Sequence, residues 1–259
     1  MRLPRFLRTK TSETTAARRL PQTPAGMRIY AIGDIHGQLP LLDRLHGAIE
    51  ADAARHNALQ RIVVYLGDYV DRGLHSREVV DRLLDGPLPG FRAVHLMGNH
   101  EQAVLDFLED PSFGMQWANF GGLETLHSYG VEDAMGLSRP QDFFAAADRF
   151  SEKLPARHLR FLKSLLPSVT LGDYFFVHAG VKPGVPLSRQ AVEDMLWIRD
   201  EFLGSDEDFG KIVVHGHTPE PEPVMKANRV GVDTGAYITG VLSCVVLEGT
   251  ELRFLQAQH

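Results

Sequence analysis

Residues 27–37 read Met-Arg-Ile-Tyr-Ala-Ile-Gly-Asp-Ile-His-Gly, an apolar run followed by a polar turn. The short apolar run 27–32 predicts a buried strand. Residues two apart on an extended backbone face the same side, so Asp34 and His36 can point into one site. A carboxylate oxygen beside an imidazole nitrogen suits a first-row divalent metal. Taken alone, such a pair is more typical of a turn with a surface histidine, so the rest of the chain has to decide between the two.

The order strand, polar loop and helix recurs twice further along the chain. Strands are predicted over 61–66 and 91–97, and they end in Gly-Asp-Tyr-Val-Asp-Arg-Gly at 67–73 and Gly-Asn-His-Glu at 98–101. This alternation is typical of βαβ units in a parallel sheet, whose ligand sites lie beyond the carboxyl ends of the strands. The intervening helices are predicted over 40–54, 76–84 and 101–109.

Residues 110–165 break this alternation and predict a helical insertion packed beside the sheet, for which the sequence suggests no chemistry. Strands then resume, and two of them end in His-Ala-Gly at 178–180 and His-Gly-His-Thr at 215–218. A helix or turn is expected over 193–202. The remaining strands are predicted over 174–177, 211–214, 229–232, 241–247 and 251–255.

Composition describes an ordinary globular protein of 259 residues, with 44% hydrophobic and 23% charged residues. The single cysteine, Cys244, excludes an intrachain disulfide framework and cysteine-rich zinc sites, and it fits a cytoplasmic setting. No apolar run is long enough for a membrane-spanning helix. Residues 1–26 are basic and lack periodicity, so we expect a flexible tail before a single catalytic domain over 27–259. The more acidic remainder argues against a broad nucleic-acid-binding surface.

Six side chains of metal-ligand type follow five different predicted strands. Two carboxylates, three imidazoles and one amide oxygen are too many for a single tetrahedral metal. They suit two metals about 3.5–4 Å apart, with one carboxylate bridging the pair. The six residues are Asp34, His36, Asp68, Asn99, His178 and His217.

The motifs Gly-Asp-Ile-His-Gly, Gly-Asp-Tyr-Val-Asp-Arg-Gly, Gly-Asn-His-Glu, His-Ala-Gly and His-Gly-His-Thr resemble those of the calcineurin-like metallophosphoesterases. The similarity is closest to the phosphoprotein phosphatase branch, which includes phage and bacterial Ser/Thr phosphatases. It implies an α/β fold in which a β-sandwich of two mixed sheets is flanked by helices. It also implies two divalent metal ions, with manganese expected and iron, zinc, cobalt or nickel as alternatives, and direct attack of a metal-bridging hydroxide on phosphorus.

The resemblance also implies a role for each motif residue. Asp34, His36 and His217 would hold one metal together with Asp68, while Asn99, His178 and the bridging Asp68 would hold the other. His100 would be the general acid, oriented by Asp71, and the alternative is a loop histidine bonded to the backbone. His215 is expected to have a supporting or structural role. The residues implied in phosphate binding are Arg72, Arg199, Asn99 and Tyr237.

Several of these expectations have alternatives. Arg72 could be an exposed loop charge, Arg199 could pair with Asp200 or Glu201, and Tyr237 could serve packing alone. The expected activity is that of a metal-dependent Ser/Thr protein phosphatase acting on a phosphoprotein or phosphopeptide. The alternative is a symmetrical dinucleoside tetraphosphatase acting on a dinucleoside polyphosphate. The dipeptide 38–39 is Gln-Leu, not the Cys-Tyr pair associated with the tetraphosphatases, which favours the protein phosphatase.

Overall fold

A computed structural model describes residues 19–56, 60–86 and 88–259. Its strands form two five-stranded mixed sheets, ordered β10-β9-β1-β2-β3 and β4-β5-β6-β8-β7. The expected α/β sandwich of two mixed sheets is therefore confirmed. The strands are β1 (Met27–Ile32), β2 (Gln60–Tyr65), β3 (Phe91–His95), β4 (Ser168–Leu171), β5 (Tyr174–Val177), β6 (Ile212–His215), β7 (Val224–Met225), β8 (Arg229–Gly231), β9 (Val241–Glu248) and β10 (Glu251–Gln258).

Helices cover the outer faces of both sheets. Among them, within the described ranges, none has the length and hydrophobicity needed to cross a membrane. The α-helices are α1 (Leu39–Ala53), α2 (Ser76–Leu84), α3 (Asn99–Glu109), α4 (Gly114–Asn119), α5 (Gly122–Ser128), α6 (Pro140–Lys153), α7 (Ala156–Ser164), α8 (Val192–Trp197), α9 (Asp200–Leu203) and α10 (Ala236–Thr239). Short 3-10 helices cover Pro111–Phe113, Ala134–Gly136 and Leu187–Arg189.

The core between the sheets explains why β1 and β2 are continuous apolar runs. Ile29 and Ala31 of β1 face the second sheet, while Tyr30 and Ile32 face α1 and its neighbours. A strand buried on both faces loses the hydrophobic alternation of a surface strand. Because β1, β2 and β3 are parallel, their carboxyl ends meet at one edge. The polar turns that follow them are therefore brought together.

The predicted insertion is helical throughout most of its length and packs beside the first sheet. Trp117 of α4, Phe143 and Phe150 of α6 and Leu126 of α5 join the same apolar cluster as α1 and α3. Burial of these large side chains, at about 25 cal/mol for each Å² of apolar surface, holds the insertion against the sheet. The insertion thereby lies next to the turn that follows β2.

The structure differs from the predicted elements in several places, among them the unpredicted strand Val224–Met225 and helix Ala236–Thr239. The strand Ser168–Leu171 was not predicted, because it is short and its side chains are mostly half-buried. Helix α3 begins at Asn99, two residues early, because the Glu101 carboxylate accepts the amide of Gly98 and closes the first turn. The region predicted as one helix or turn at 193–202 divides into α8 and α9 around Arg199.

The predicted tail is in contact with the domain at its carboxyl end. Thr23 is buried, its amide donates to the carbonyl of Gly249 at 3.0 Å, and its hydroxyl accepts from the amide of Gly249 at 2.9 Å. Packing therefore begins before residue 27, the predicted start of the domain. The part of the predicted tail that precedes residue 19 lies outside the described residues.

Candidate active site

The structure brings all six predicted ligand residues together at the carboxyl ends of β1, β2, β3, β5 and β6. Each of the six is no more than 5% exposed. The ligand atoms form two sets, and within each set all atoms lie within 4.8 Å of one another. One set comes from His36, Asp68 and His100, and the other from Asp68, His178 and His217. Asp68 belongs to both sets, as a shared carboxylate between two cations would.

The imidazole of His178 presents a lone pair to another acceptor. Its Nδ1 lies 2.9 Å from the carbonyl oxygen of Leu66, so Nδ1 carries the proton and Nε2 does not. Nε2 nevertheless lies 2.9 Å from the Asn99 Oδ1 oxygen and 3.4 Å from Asp68 Oδ1. Acceptor atoms turned toward one another in a buried site repel unless a cation lies among them. This donor set fits a metal ion.

The same reasoning applies to His36 on the other side of Asp68. Its Nδ1 lies 2.9 Å from the carbonyl oxygen of Val70, which leaves an unprotonated Nε2 at 3.5 Å from Asp68 Oδ2. A backbone carbonyl behind a ligating histidine fixes its tautomer and ring orientation. Mixed nitrogen and oxygen donors without thiolate suit several first-row divalent metals.

The structure groups the ring of His217 differently from the division that the resemblance implied. His217 was grouped with Asp34 and His36, but its Nδ1 lies 3.1 Å from His178 Nε2, so its ring belongs to the second set. The link to Asp34 runs through the backbone, because the His217 amide donates to both carboxylate oxygens of Asp34, at 3.2 and 3.0 Å. Glycine is needed at 216, since a Cβ there would overlap Asp34 Oδ1.

Backbone strain is concentrated at these residues. Within residues 19–56, 60–86 and 88–259, the non-glycine residues with positive φ all belong to the predicted site. Left-handed conformations of non-glycine residues cost on the order of 1–3 kcal/mol each and are common at functional sites. The five residues and their φ angles are His36 (46°), Asp68 (53°), Asp71 (70°), Arg72 (67°) and His217 (65°).

Burial prepares the imidazoles for metal binding. It lowers the pKa of His36 to about 3 and also lowers the pKa of His178 and of His217, so the rings are neutral near pH 7. Ligating histidines must be neutral. Burial alone would raise the pKa of Asp68, but that pKa is lowered overall, and His100, whose own pKa is raised, is the neighbouring imidazole that can favour the ionised carboxylate as a cation.

His100 differs from the other imidazoles in its hydrogen bonds. Its Nδ1 lies 2.7 Å from Asp71 Oδ2, and its Nε2 lies 3.7 Å from Asp68 Oδ2. Burial would lower the pKa of His100, but the carboxylates of Asp68 and Asp71 raise it overall. The residue is therefore the histidine of this cluster best suited to carry a proton that it can give away.

The predicted phosphate-binding side chains border the cluster. The Arg72 guanidinium carbon lies 4.3 Å from the centre of the Tyr237 ring, and that ring meets His36 edge-on at 5.1 Å between centroids. Arg199 is exposed, and its Nη1 donates to the carbonyl of His217 and the hydroxyl of Thr218, both at 3.2 Å. Tyr237 thus packs against the predicted phosphate ligand Arg72, and Arg199 contacts the His217 turn.

Sequence reasoning missed two residues that shape the site, Glu101 and Asp233. The Glu101 carboxylate accepts the backbone amides of Asp68, Tyr69 and Gly98 at 2.7–3.0 Å, which joins the turns after β2 and β3. Burial raises the pKa of Asp233 to about 6, and its carboxyl lies beside Asp34. Both residues belong to motifs at strand ends, Gly-Asn-His-Glu and Asp-Thr-Gly, and this position could have identified them as candidate site residues.

His215 does not join the ligand set. Its Nδ1 lies 3.1 Å from the carbonyl of Gly216, and its ring packs on Phe202 with centroids 5.0 Å apart. Its Nε2 is buried without a hydrogen-bond partner in the described part of the chain. These contacts agree with the supporting or structural role expected for this residue.

Comparisons with known proteins agree with the motifs. An asymmetrical bis(5'-nucleosyl)-tetraphosphatase, PrpE of Anoxybacillus flavithermus, is 23% identical over 234 residues, which cover 83% of this chain and 88% of that protein. The serine/threonine-protein phosphatase BSL2 of Arabidopsis thaliana is 38% identical over 88 residues, or 34% of this chain and 8% of that protein. The structure also superposes on a crystal structure provisionally described as a diadenosine tetraphosphatase. That likeness has a TM-score of 0.60 and 18% identity, and covers 93% of this chain and 100% of the other.

The profile of the calcineurin-like phosphoesterases matches residues 27–240, which include every motif described above. This match spans most of the chain, and the two mixed sheets have the architecture expected of that fold. Divalent metal ions are implied by the family, and the clustered histidine and aspartate side chains could bind them. The chain therefore belongs to the calcineurin-like phosphoesterase family and is a hydrolase of phosphoric esters.

Proposed function

We propose that this protein is a metal-dependent phosphomonoesterase that removes phosphate from phosphoserine and phosphothreonine in proteins. The observation that supports this most is the buried His100–Asp71 pair, 2.7 Å apart, beside the metal-ligand cluster. An alkoxide leaving group is strongly basic and needs a proton as the P–O bond breaks, whereas a phosphate leaving group needs it much less. A positioned acid therefore has most to contribute to serine and threonine esters.

The chain's own residues would bind the phosphate and supply the proton. Arg72 offers a planar set of donors to two phosphate oxygens, and Tyr237 holds its guanidinium in place by stacking. Arg199 and the Asn99 amide are the further phosphate contacts we propose. His100, as the imidazolium, gives its Nε2 proton to the departing oxygen, while Asp71 accepts the hydrogen bond of Nδ1–H and stabilises the charged ring.

The metal ligands would divide into two sets around Asp68. We assign Asp34, His36 and Asp68 to one metal and Asp68, Asn99, His178 and His217 to the other. When bound, the two cations polarise the phosphoester and lower the pKa of water, which makes a nucleophile available near neutral pH. Manganese is the proposed metal, and a cytoplasmic setting stays a prediction from the single buried cysteine.

A second candidate activity is hydrolysis of a dinucleoside tetraphosphate. A relative that matches 83% of this chain is named an asymmetrical tetraphosphatase, whereas the sequence suggested the symmetrical kind as the alternative. The wall of the site also carries an aromatic pair. Phe120 and Trp197 lie 5.7 Å apart between centroids, and they contact the rings of His100 and His217 at 6.1 and 6.3 Å respectively. Trp197 is 39% exposed and could stack on a nucleobase.

One substrate comparison separates the two activities. The Mn²⁺-loaded protein is given a phosphoserine peptide, a phosphotyrosine peptide and diadenosine tetraphosphate in parallel, and kcat/KM is measured for each. We expect the phosphoserine peptide to be preferred. A higher kcat/KM for the dinucleotide would overturn the protein phosphatase proposal, and the products would then distinguish ATP plus AMP from two ADP.

A pair of variants tests whether the aromatic wall selects the substrate. If the dinucleotide is the substrate, Trp197→Ala should raise its KM about tenfold, since base stacking on an aromatic ring contributes roughly 1–3 kcal/mol. Met225→Ala is the control, because Met225 is also an exposed apolar side chain but lies on β7, which carries none of the proposed site residues. Unchanged kinetics in Trp197→Ala would remove the stacking argument.

A further inference from the structure

The carboxylate of Asp71 is held by two side chains of the helical insertion. Trp117 of α4 donates its Nε1 proton to Asp71 Oδ2 at 2.9 Å, the same oxygen that faces His100 Nδ1. Thr125 of α5 donates its hydroxyl proton to Asp71 Oδ1 at 2.6 Å. Both carboxylate oxygens therefore have donors besides His100. Asp71, Trp117 and Thr125 are fully buried, so water does not compete for these bonds.

Thr125 also holds the backbone that carries this carboxylate. The amide of Asp71 donates to Thr125 Oγ1 at 2.9 Å, so one hydroxyl accepts from the main chain and donates to the side chain of the same residue. Asp71 has a φ of 70°, a conformation that a non-glycine residue keeps only when its surroundings enforce it. The next amide, that of Arg72, donates to the carbonyl of Gly121 at 3.0 Å. The turn after β2 is thus fixed by the insertion.

Close glycine contacts show that this docking is tight. A Cβ at Gly121 would lie 2.6 Å from the backbone nitrogen of Arg72, and a Cβ at Gly122 would overlap the Trp117 ring. The dipeptide Gly121-Gly122 therefore lets the insertion approach both the Asp71–Arg72 turn and its own tryptophan. The hydrogen bonds from the insertion to the Asp71 carboxylate described above come from Trp117 and Thr125.

From these contacts we infer that Trp117 and Thr125 are positioning residues, which act through Asp71 on the proton donor His100. The inference rests on the proposed acid role of His100. Without the two donors, the Asp71 carboxylate could rotate about its Cβ–Cγ bond and leave His100 Nδ1. The imidazolium of His100 would then lose the carboxylate that stabilises its charge and the bond that points Nε2 toward the leaving oxygen. The helical insertion therefore has a role in the chemistry of the site.

The test compares substrates with good and poor leaving groups. Thr125→Val removes the hydroxyl at nearly constant volume, and Thr125→Ser keeps it. A positioned acid contributes about 10²–10⁴-fold to a reaction that needs it. We expect Thr125→Val to lower kcat on a phosphoserine peptide about tenfold and on an activated aryl phosphate less than twofold. Thr125→Ser should restore most of the loss on the peptide.

Trp117→Phe provides the second comparison, since it removes the indole N–H and keeps an aromatic ring. Its control is Phe107→Leu, which loosens the packing around Trp117, with the two ring centroids 4.8 Å apart, and removes no hydrogen-bond donor to Asp71. We expect the selective loss on the phosphoserine peptide in Trp117→Phe and not in Phe107→Leu. Metal content should stay unchanged in all four variants.

The outcomes separate this inference from the proposed function. If His100→Asn is selective for the poor leaving group but Thr125→Val and Trp117→Phe are not, the positioning role is wrong and the acid role stands. If His100→Asn slows both substrates equally, the acid role fails and this inference fails with it. Equal losses on both substrates in Thr125→Val, with Thr125→Ser no better, would mean that Thr125 is merely structural and would also overturn the inference.

Discussion

Nε2 of His178 lies 2.9 Å from Oδ1 of Asn99, although both atoms are hydrogen-bond acceptors. The Leu66 carbonyl fixes the His178 proton on the opposite nitrogen, and burial lowers the pKa of the ring so that a second proton is not taken up near pH 7. Two acceptors at this distance are expected where both coordinate one cation. The relationship does not depend on any motif and supports the metal site independently of the family.

Two histidines of one motif should differ in metal binding. His217→Gln removes a ring that lies 3.1 Å from His178 Nε2, so we expect it to lower bound Mn²⁺ from about two ions per chain toward one, measured by plasma mass spectrometry after dialysis. His215→Gln is the matched control, since His215 lies two residues away and packs on Phe202. Equal metal content in the two variants would contradict the placement of His217 in the second set.

Arg72 should bind phosphate only when it is held by Tyr237. Arg72→Lys keeps the charge but loses the planar donors and the stacking, so we expect KM for a phosphoserine peptide to rise about tenfold, equivalent to ~1.4 kcal/mol. Tyr237→Phe keeps the ring under the guanidinium and should leave KM within twofold, whereas Tyr237→Ala should resemble Arg72→Lys. A large effect of Tyr237→Phe would indicate that the phenol hydroxyl, not the stacking, matters.

Buried His46 should make stability depend on pH. Burial lowers its pKa from 6.5 to about 4, with Arg82 adding to the effect, while Nε2 pairs with the Tyr65 hydroxyl at 3.0 Å. Between these values the unfolded chain binds a proton at His46 and the folded chain does not. The free energy of unfolding therefore falls as the pH drops from 6.5 toward 4, by about 1–2 kcal/mol at pH 5.

Urea denaturation at pH 7 and pH 5 measures this contribution. His46→Gln should lose less stability than the wild-type chain between the two pH values, and the difference between the two proteins removes effects of metal release that they share. His127→Gln is the control, because His127 is exposed on α5, and it should lose as much stability as the wild type. The same loss in His46→Gln as in the wild type would show that His46 does not carry the effect.

The sequence predicted best what depends on local pattern. The apolar runs before Asp34 and Asp68 predicted buried parallel strands, and parallel strands place their carboxyl ends at one edge, so the convergence of the ligand residues could be anticipated. The direction in which a side chain points could not be predicted from the sequence. The resemblance placed His217 with Asp34 and His36, whereas in the structure its ring lies beside His178, on a turn with a φ of 65° that the letters His-Gly-His-Thr do not reveal.

The network around Asp71 lay beyond the reach of the sequence for a different reason. Trp117 and Thr125 are 46 and 54 residues away from Asp71 along the chain and belong to no motif. A tryptophan and a threonine at helical spacing from apolar neighbours indicate packing, and both are indeed buried. Only the three-dimensional packing of the insertion against the turn after β2 shows that their polar atoms face one carboxylate.

Titration of the metal-stripped protein with Mn²⁺ tests the central claim most directly, with hydrolysis of a phosphoserine peptide followed at each step. Asp68 belongs to both ligand sets, so we expect activity to rise until about two equivalents of metal are bound and Asp68→Asn to lower kcat by at least a hundredfold. Full activity of the stripped protein without added metal, or a fully active Asp68→Asn variant, would contradict a two-metal site centred on Asp68.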